Sequence, residues 1–102
     1  MYKIEYLPIA LQDMVELSSY ISKELKNPTA AVHLAEKMVE AIDQLAVFPY
    51  MNPVYQPIKP LKYEYRKTVV DNYIIFYTVD EAEKIVTVHR VIYGKRNYNK
   101  VL

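Results

Sequence analysis

The sequence predicts an α+β fold in which one strand, two helices and three further strands follow one another in a single domain, residues 1–102. Three observations predict this fold. Residues 2–6 alternate apolar and charged side chains, residues 9–48 repeat apolar side chains at helical spacing, and residues 63–93 are rich in β-branched and aromatic side chains. We therefore expect the order β-α-α-β-β-β, with an antiparallel helical hairpin packed on a mainly antiparallel sheet.

The N-terminal part of the chain predicts a strand followed by a helix. Tyrosine and isoleucine alternate with lysine and glutamate over residues 2–6, and a period of two is typical of a half-buried strand. Pro8 ends that strand and suits the first turn of a helix. From Ile9 to Leu25 apolar residues recur every three or four positions, so that they share one face of a helix.

A second amphipathic helix is predicted from Pro28 to about Phe48, because apolar residues recur there at the same spacing. Asn27 can cap its N-terminus, and Pro28 suits its first position. Because the link between the helices is very short, the two must pack antiparallel, and their shared apolar face needs a sheet to cover it. The four prolines of residues 49–60 predict an ordered loop within the domain.

The C-terminal half of the chain predicts an antiparallel meander. Strands are expected at Tyr63–Val70, Tyr73–Val79 and Lys84–Tyr93. Asp71–Asn72 is a two-residue turn of residue types that tolerate positive φ, and Asp80–Glu83 is a polar turn. The middle strand is almost wholly apolar, so we expect it at the centre of the sheet.

Composition limits the classes of protein to which the chain can belong. No apolar run approaches the ~18 residues of a membrane-spanning helix, so we expect no membrane partner. The alternating, charged N-terminus is not typical of a secretory signal. The absence of cysteine excludes disulfides and thiolate chemistry. We therefore expect a cytoplasmic protein.

Positive charge and tyrosine are concentrated in the second half of the chain. Residues 1–50 hold four cations and seven acids, a net charge of −3, whereas residues 51–102 hold nine cations and five acids, a net charge of +4. Seven of the eleven tyrosines also lie in the second half. Positive charge combined with aromatic rings suits nucleic acid or another polyanion. The alternative is that the tyrosines are ordinary strand residues and that the charge difference is chance.

The segment after the last strand carries the sharpest candidate site. The strand runs directly into Gly94, the one glycine of the chain, which we expect to let the backbone turn where another residue would be strained. Lys95 and Arg96 follow and can neutralise a phosphate, while Tyr93 or Tyr98 can stack on a base. We expect these groups to meet those of the middle sheet in one concave pocket. The alternative is a solvated C-terminal tail.

Further cations lie on the first strand of the meander. Arg66 and Lys67 are in mid-strand, and Lys59 and Lys62 lead into it. Neighbouring side chains on a strand point to opposite faces, so Arg66 and Lys67 cannot both serve one site unless a bulge intervenes. The odd-numbered and the even-numbered residues of this strand each include both polar and apolar side chains. The pattern therefore does not show which set faces solvent. The alternative reading is a group of solvated surface cations.

Arg90 is expected either to face solvent or to have a specific partner. It lies in a strand otherwise built of valine, isoleucine and threonine, and an unpaired buried guanidinium costs several kcal/mol. Asp13 and Glu16 on the first helix are possible partners. Two isolated histidines without cysteine do not make a zinc site. His33 is most simply structural, and His89 either pairs within the sheet or acts as an acid or base near neutral pH.

Several kinds of catalytic site are excluded by the residues available. One glycine rules out a glycine-rich phosphate loop. The chain has no serine in a nucleophile elbow and no paired carboxylates placed as in glycosidases or metal nucleases. An enzyme of this sequence would therefore work without metal or cofactor, by electrostatic stabilisation and by proton transfer from basic or phenolic groups.

Taken in order, the segments of this chain resemble the RelE/ParE superfamily, the toxins of bacterial type II toxin–antitoxin modules. Each segment alone is weakly specific, and their joint order and spacing carry the resemblance over essentially the whole chain. The segments are Pro8–Met14 after the first strand, Leu45–Pro49 at the end of the second helix, Tyr65–Lys67, Tyr73–Tyr77, and Arg90–Tyr98 at the close.

The resemblance implies one of two activities on the same fold. RelE-like members cut mRNA in the ribosomal A site without metal, and ParE-like members poison DNA gyrase. The first activity is the one that we expect here, because the C-terminal basic and tyrosine set is intact. Its catalytic residues would be Arg66, Lys67, Arg96 and Tyr98. Its RNA-binding residues would be Lys62, Tyr93 and Lys95.

One departure from the RelE-like pattern bears on that expectation. The arginine that RelE-like nucleases place just after the tyrosine opening the third strand would fall on Ile74, which removes a phosphate clamp. Gyrase inhibition without chemistry, or a degenerate member that only binds its antitoxin, therefore stays open. All of these alternatives imply a cognate antitoxin that binds over the apolar helix faces and the sheet, and the first also implies contact with the ribosome and mRNA.

Overall fold

The computed structural model describes residues 1–57, 59–95 and 102. Its elements follow the predicted order, and the α+β fold class is confirmed. The elements are β1 (Lys3–Tyr6), α1 (Pro8–Ser19), a π-helical segment (Tyr20–Glu24), α2 (Pro28–Leu45), β2 (Arg66–Val70), β3 (Tyr73–Asp80) and β4 (Ile85–Tyr93).

The four strands form one mixed sheet in the order β1-β4-β3-β2. The meander β2–β3–β4 is antiparallel, and β1 lies parallel to β4, with Tyr6 opposite Val88 at the end of the pairing. β3 and β4 therefore occupy the centre of the sheet, as the apolar run of β3 predicts. The tight turn between β2 and β3 contains Asp71, whose φ of 53° is in the left-handed region that this residue type tolerates.

The helical hairpin differs from its prediction mainly at its ends. α1 stops at Ser19, and residues up to Glu24 continue as a π-helix in which the Leu25 N–H bonds the carbonyl of Tyr20 at 3.2 Å. The prediction of one regular helix to Leu25 is therefore wrong in its last turn. The Asn27 cap is confirmed, since its side-chain oxygen accepts the N–H of Ala30 at 3.1 Å.

The main core lies between the hairpin and one face of the sheet. The α2 residues Met38 and Ile42 are fully buried there against Ile75 of β3 and Val88 of β4. A second cluster covers the other face, where Phe76 and Ile74 pack with Tyr65, and with Tyr55 from the proline-rich loop. Burial of a side chain of this size stabilises the fold by roughly 1.5–3 kcal/mol, so both faces contribute to stability.

The start of β2 is a correction to the predicted strand. The first strand of the meander begins at Arg66 and not at Tyr63. The carbonyl of Tyr65 accepts the N–H of Tyr55 at 2.7 Å, and Val54 forms an isolated bridge with Arg66. The backbone just before β2 therefore bonds the loop and leaves residues 63–65 outside the ladder.

Candidate functional site

A cavity of about 580 Å³ lies at the edge of β3, beyond the point where β2 ends. The last β2–β3 pair is Arg66 with Tyr77, so residues 78–80 of β3 have no partner on that side in the named strands. We call this space the edge cavity. The lining residues that matter below are Tyr50, Tyr63, Glu64, Arg66, Asp80 and His89.

His89 reaches the edge cavity because β4 contains a bulge. Phe76 pairs with Arg90 and the next residue of β3 pairs with Val88, so His89 is an extra residue in β4. Its Nε2 atom lies 2.9 Å from the hydroxyl oxygen of Thr78. Burial lowers the pKa of His89, which leaves its imidazole neutral at physiological pH.

Two tyrosines enclose the His89 ring. The ring centroids of Tyr63 and Tyr65 lie 5.3 Å and 5.1 Å from that of the imidazole. Lys62 places its ammonium 5.2 Å from the centroid of Tyr63. Lys62, expected to bind RNA, therefore lies beside the cavity through its contact with this ring.

Arg66 lines the same cavity but is held by the loop after α2. Its guanidinium donates to the carbonyl of Asn52 at 2.6 Å and lies 4.9 Å from the centroid of the Tyr50 ring. The buried Tyr77 hydroxyl donates to the carbonyl of Pro49 at 2.9 Å. These contacts fix the loop against the sheet and hold the guanidinium in place.

Glu81 fixes the other wall of the cavity. One carboxylate oxygen accepts the hydroxyls of Tyr2 at 2.6 Å and Tyr50 at 2.9 Å, and the other oxygen accepts the ammonium of Lys84. These hydrogen bonds, that of Lys84 first, lower the pKa of Glu81 to about 2. The hydrogen bond from Tyr50 to Glu81 raises the pKa of the Tyr50 hydroxyl. Glu81 thus links the N-terminus, the loop and the β3–β4 turn.

The edge cavity is acidic. Glu64, Asp80 and Glu81 line it, and Arg66 is the single cation among the lining residues that the structure describes. With His89 neutral, the formal charge of this lining is −2, and it becomes −1 when the Lys84 ammonium that pairs with Glu81 is counted. An anion such as a phosphodiester therefore meets Glu64 and Asp80, whose two negative charges one guanidinium does not offset.

Lys67 points away from its neighbour Arg66, as strand alternation requires. Arg66 pairs with Tyr77, which packs with Leu45 of α2, whereas Lys67 pairs with Phe76 of the opposite cluster. The Lys67 ammonium lies 5.4 Å from the centroid of the Tyr55 ring. The two predicted catalytic cations of this strand therefore lie on different faces.

The C-terminal candidates are only partly described. Tyr93 lines a second groove, of about 800 Å³, between the helical hairpin and the far ends of β3 and β4, and its ring lies 5.8 Å from that of Tyr73. Lys95 is exposed in the turn after β4. Arg96 and Tyr98 lie outside the described residues. The described candidates do not share one pocket, since Arg66 and Tyr93 line separate spaces.

Gly94 has a different role from the one expected. Its φ is not in the left-handed region, so the turn itself does not require glycine. Its N–H donates to the carbonyl of Asn72 at 2.8 Å, and a Cβ built there would lie 3.1 Å from the same oxygen. The requirement is close approach of two backbones, where any side chain would be crowded.

The departure at Ile74 falls on a core position. Its side chain is 6% exposed and packs with Tyr65, Phe76 and Ile92. The position where RelE-like nucleases hold an arginine is therefore apolar and buried in this chain.

Sequence reasoning missed the loop and turn residues that line the cavity or hold its Arg66 in place. Tyr50, Asn52 and Glu81 carry no periodic signal, because they lie between elements. Within the described ranges, no cluster of three or more His, Asp or Glu side chains is arranged to hold a metal ion. No helix in the described part of the chain combines the length and the apolar composition needed to cross a bilayer.

Comparison with protein families identifies a family whose model covers most of the chain. The model of a family described as the ParE toxin of the type II toxin–antitoxin system, parDE, matches residues 4–98. Comparison with curated protein sequences gives no significant match.

Solved structures show the same fold. The chromosomal ParDE system of P. aeruginosa is similar with a TM-score of 0.73 and 13% identity, covering 93% of this chain and 98% of that chain. The archaeal RelE–RelB complex of Pyrococcus horikoshii OT3 gives 0.59 and 14%, over 93% and 97%. The intact E. coli RelBE toxin–antitoxin complex gives 0.53 and 21%, over 94% and 100%. At these identities the likeness concerns the fold alone.

Proposed function

This chain belongs to the ParE toxin family of type II toxin–antitoxin systems, and from that membership we propose that it inhibits bacterial growth by binding a protein target without chemistry of its own. The resemblance of the sequence to ParE-like toxins makes DNA gyrase the target that we propose. This choice reverses the preference for RNA cleavage that the sequence alone suggested. Because DNA gyrase acts in the cytoplasm, we propose that this protein acts there too.

The charge of the edge cavity is the observation that carries this proposal. Cleavage of RNA without metal depends on positive groups that stabilise charge developing on the scissile phosphate. Arg66 is the one cation in the described lining, and its guanidinium is already bonded to Asn52 and stacked on Tyr50. Three carboxylates share that lining, and one of them, Glu81, is paired with Lys84. A surface of this kind favours contact with a protein over contact with a polyanion.

Two further positions support binding over cleavage. Ile74 buries an apolar side chain where RelE-like nucleases carry an arginine. Lys67 lies on the face of the sheet opposite to Arg66, with its ammonium over the Tyr55 ring. A phosphate held by Arg66 would therefore receive no help from the neighbouring lysine.

We also propose a cognate antitoxin as partner. The similar structures from P. aeruginosa, P. horikoshii and E. coli are of toxin–antitoxin systems or complexes. An antitoxin that binds this chain would stabilise it by mass action. Purification of the chain with and without its antitoxin should therefore give a higher melting temperature for the complex.

The decisive experiment expresses the chain in a bacterial host and reads out two targets. We expect growth arrest with a DNA-damage response, together with loss of supercoiling by purified gyrase when the purified chain is added. Primer extension on mRNA should show no new ends within codons. New codon-internal ends with unaffected gyrase would overturn the proposal.

Ribosome-dependent mRNA cleavage is the second candidate, and one observation favours it. The guanidinium of Arg66, the imidazole of His89 and the phenol of Tyr63 line one cavity, and these are groups that serve metal-free proton transfer and charge stabilisation. Under this candidate, Arg96→Ala should abolish toxicity without unfolding the protein. A fully toxic Arg96→Ala variant would remove Arg96 from the catalytic set. Silence in both target assays would indicate a member that only binds its antitoxin.

A further inference from the structure

The outer face of α2 carries a second apolar stripe that does not face the core. Val32, Val39 and Val47 are 55%, 45% and 50% exposed, although the opposite face of the helix is buried. Their spacing of seven and eight residues places them along one side of the helix and its C-terminal turn. Val39 and Val47 border an open groove of about 650 Å³ together with Ala35, and Val32 lies two helical turns before Val39 on the same side of the helix. Solvent-facing helix positions are normally polar.

Carboxylates line this stripe on one side. Glu36, Glu40 and Asp43 border the same groove. Among the described residues, no cation forms an ion pair with any of the three. The one lysine of α2, Lys37, bonds instead to Asp71 at 3.2 Å. The groove therefore combines an apolar floor with an uncompensated negative rim.

The arrangement is unfavourable for an isolated helix. Glu36 and Glu40 are four residues apart, and like charges at this spacing destabilise a helix. Three exposed valines add a further cost in contact with water. Both costs are removed when an apolar, positively charged surface covers the groove, which is what charge complementarity at an interface achieves.

We propose that this face of α2 and of the turn that follows it, from Val32 to Val47, is a docking site for a basic amphipathic helix of a partner protein. The partner helix would carry apolar residues every three or four positions and lysine or arginine beside them. Fifteen residues of helix span about 22 Å, so a partner segment of about four turns matches the stripe. The inference rests on α2 alone and holds whatever the toxin's target is.

The test uses two matched peptides and the full-length protein. One fluorescein-labelled 18-residue peptide has leucine at the seam positions of a helix and lysine at the flanking positions, and the other replaces every lysine by glutamate. We expect saturable binding of the basic peptide by fluorescence anisotropy, at least about tenfold tighter than that of the acidic one. Binding of the basic peptide should weaken as salt rises.

Three variants locate the binding. Val39→Asn should weaken the basic peptide about tenfold, and the double variant Glu36→Lys, Glu40→Lys should reverse the preference between the two peptides. Val15→Asn is the matched control, because Val15 is an exposed valine of α1 (68% exposed) outside the groove. Circular dichroism checks that each variant is folded.

Three outcomes would overturn the proposal. The first is equal affinity for the two peptides. The second is an unchanged affinity in Val39→Asn, which would place the peptide elsewhere. The third is an equal loss in Val15→Asn, which would indicate non-specific adsorption. Growth inhibition and gyrase activity are measured in separate assays. A negative result for this docking site would therefore not contradict the proposed function.

Discussion

The carboxylate of Asp13 on α1 holds the guanidinium of Arg90 on β4 in a two-point contact. Arg90 donates to Asp13 from Nε at 2.8 Å and from a terminal nitrogen at 3.0 Å, and the N–H of Val91 donates to the same carboxylate at 3.0 Å. Their side chains are 14% and 10% exposed, Arg90 first. Because β1 pairs with β4 only as far as Val88, Asp13 supplies the acceptor that the sheet lacks beyond that point.

Replacement of Asp13 by alanine should therefore destabilise the fold strongly. The change removes the carboxylate that bonds both the Arg90 guanidinium and the Val91 N–H, and loss of one member of a buried ion pair is expected to cost about 3–5 kcal/mol. Chemical denaturation measures it. Glu24→Ala, at an exposed position in the π-helical segment after α1, is the control, with an expected effect within about 0.5 kcal/mol. A cost below about 1 kcal/mol for Asp13→Ala would contradict this account.

The stability contributed by Glu81 should be lost in acid. Hydrogen bonds to the carboxylate lower its pKa from 4.5 to about 2. The carboxylate therefore stabilises the folded state fully above its ordinary pKa, and this contribution declines as pH falls through about 2. The difference in free energy of unfolding between wild type and Glu81→Gln should be constant above pH 4.5 and shrink towards pH 2.

The tyrosine donors provide the control for Glu81. Tyr2→Phe with Tyr50→Phe removes both hydroxyls that donate to Glu81 and leaves Lys84 in place. This double variant should reproduce part of the acid-dependent difference. If wild type stayed more stable than Glu81→Gln by the same free energy down to pH 2, the hydrogen bonds would not depend on the charged carboxylate, and the argument would be wrong.

His89 should make the fold less stable as pH falls below neutral. Burial lowers its pKa below the ordinary 6.5, so the unfolded chain binds a proton more readily than the folded one. Stability is therefore complete above pH 6.5 and declines as pH falls from that value. His89→Gln should remove this part of the pH dependence in denaturation curves. An NMR titration of the His89 ring with a midpoint above 6.5 would refute the argument.

Replacement of Gly94 by alanine should destabilise the end of β4. The added Cβ would lie 3.1 Å from the carbonyl oxygen of Asn72, which belongs to a tight turn and has little room to move. Crowding of this kind is expected to cost about 1 kcal/mol, seen as a lower denaturation midpoint. Lys95→Ala, one residue further on and exposed, is the control and should be neutral. A stabilised Gly94→Ala variant would show that the turn adapts.

The order of the elements could be predicted because each element carries its own period. Alternation marked β1, and spacings of three and four marked both helices. Element ends could not be predicted in the same way. The strand predicted from Tyr63 begins at Arg66, because Tyr65, just before it, bonds the loop at Tyr55, ten residues away in sequence. A local pattern contains no information on such a partner.

The site was predictable only where one residue demands a particular partner. A guanidinium among apolar strand residues needs a carboxylate, and Asp13 was one of two candidates for Arg90. The edge cavity gave no such signal. Glu81 meets Tyr2 and Tyr50 across 79 and 31 positions of sequence, and only the folded chain brings them together.

The strand order has a consequence for how a cell makes this protein. β4, the last strand along the chain, lies between β1 and β3, so nothing in the sheet can receive β1 until β4 has left the ribosome. The hairpin can form during synthesis, but its apolar face stays without the complete sheet until β4 has been made. A harmful chain built in this order acquires the shape of this domain only once β4 is available to join its first and third strands.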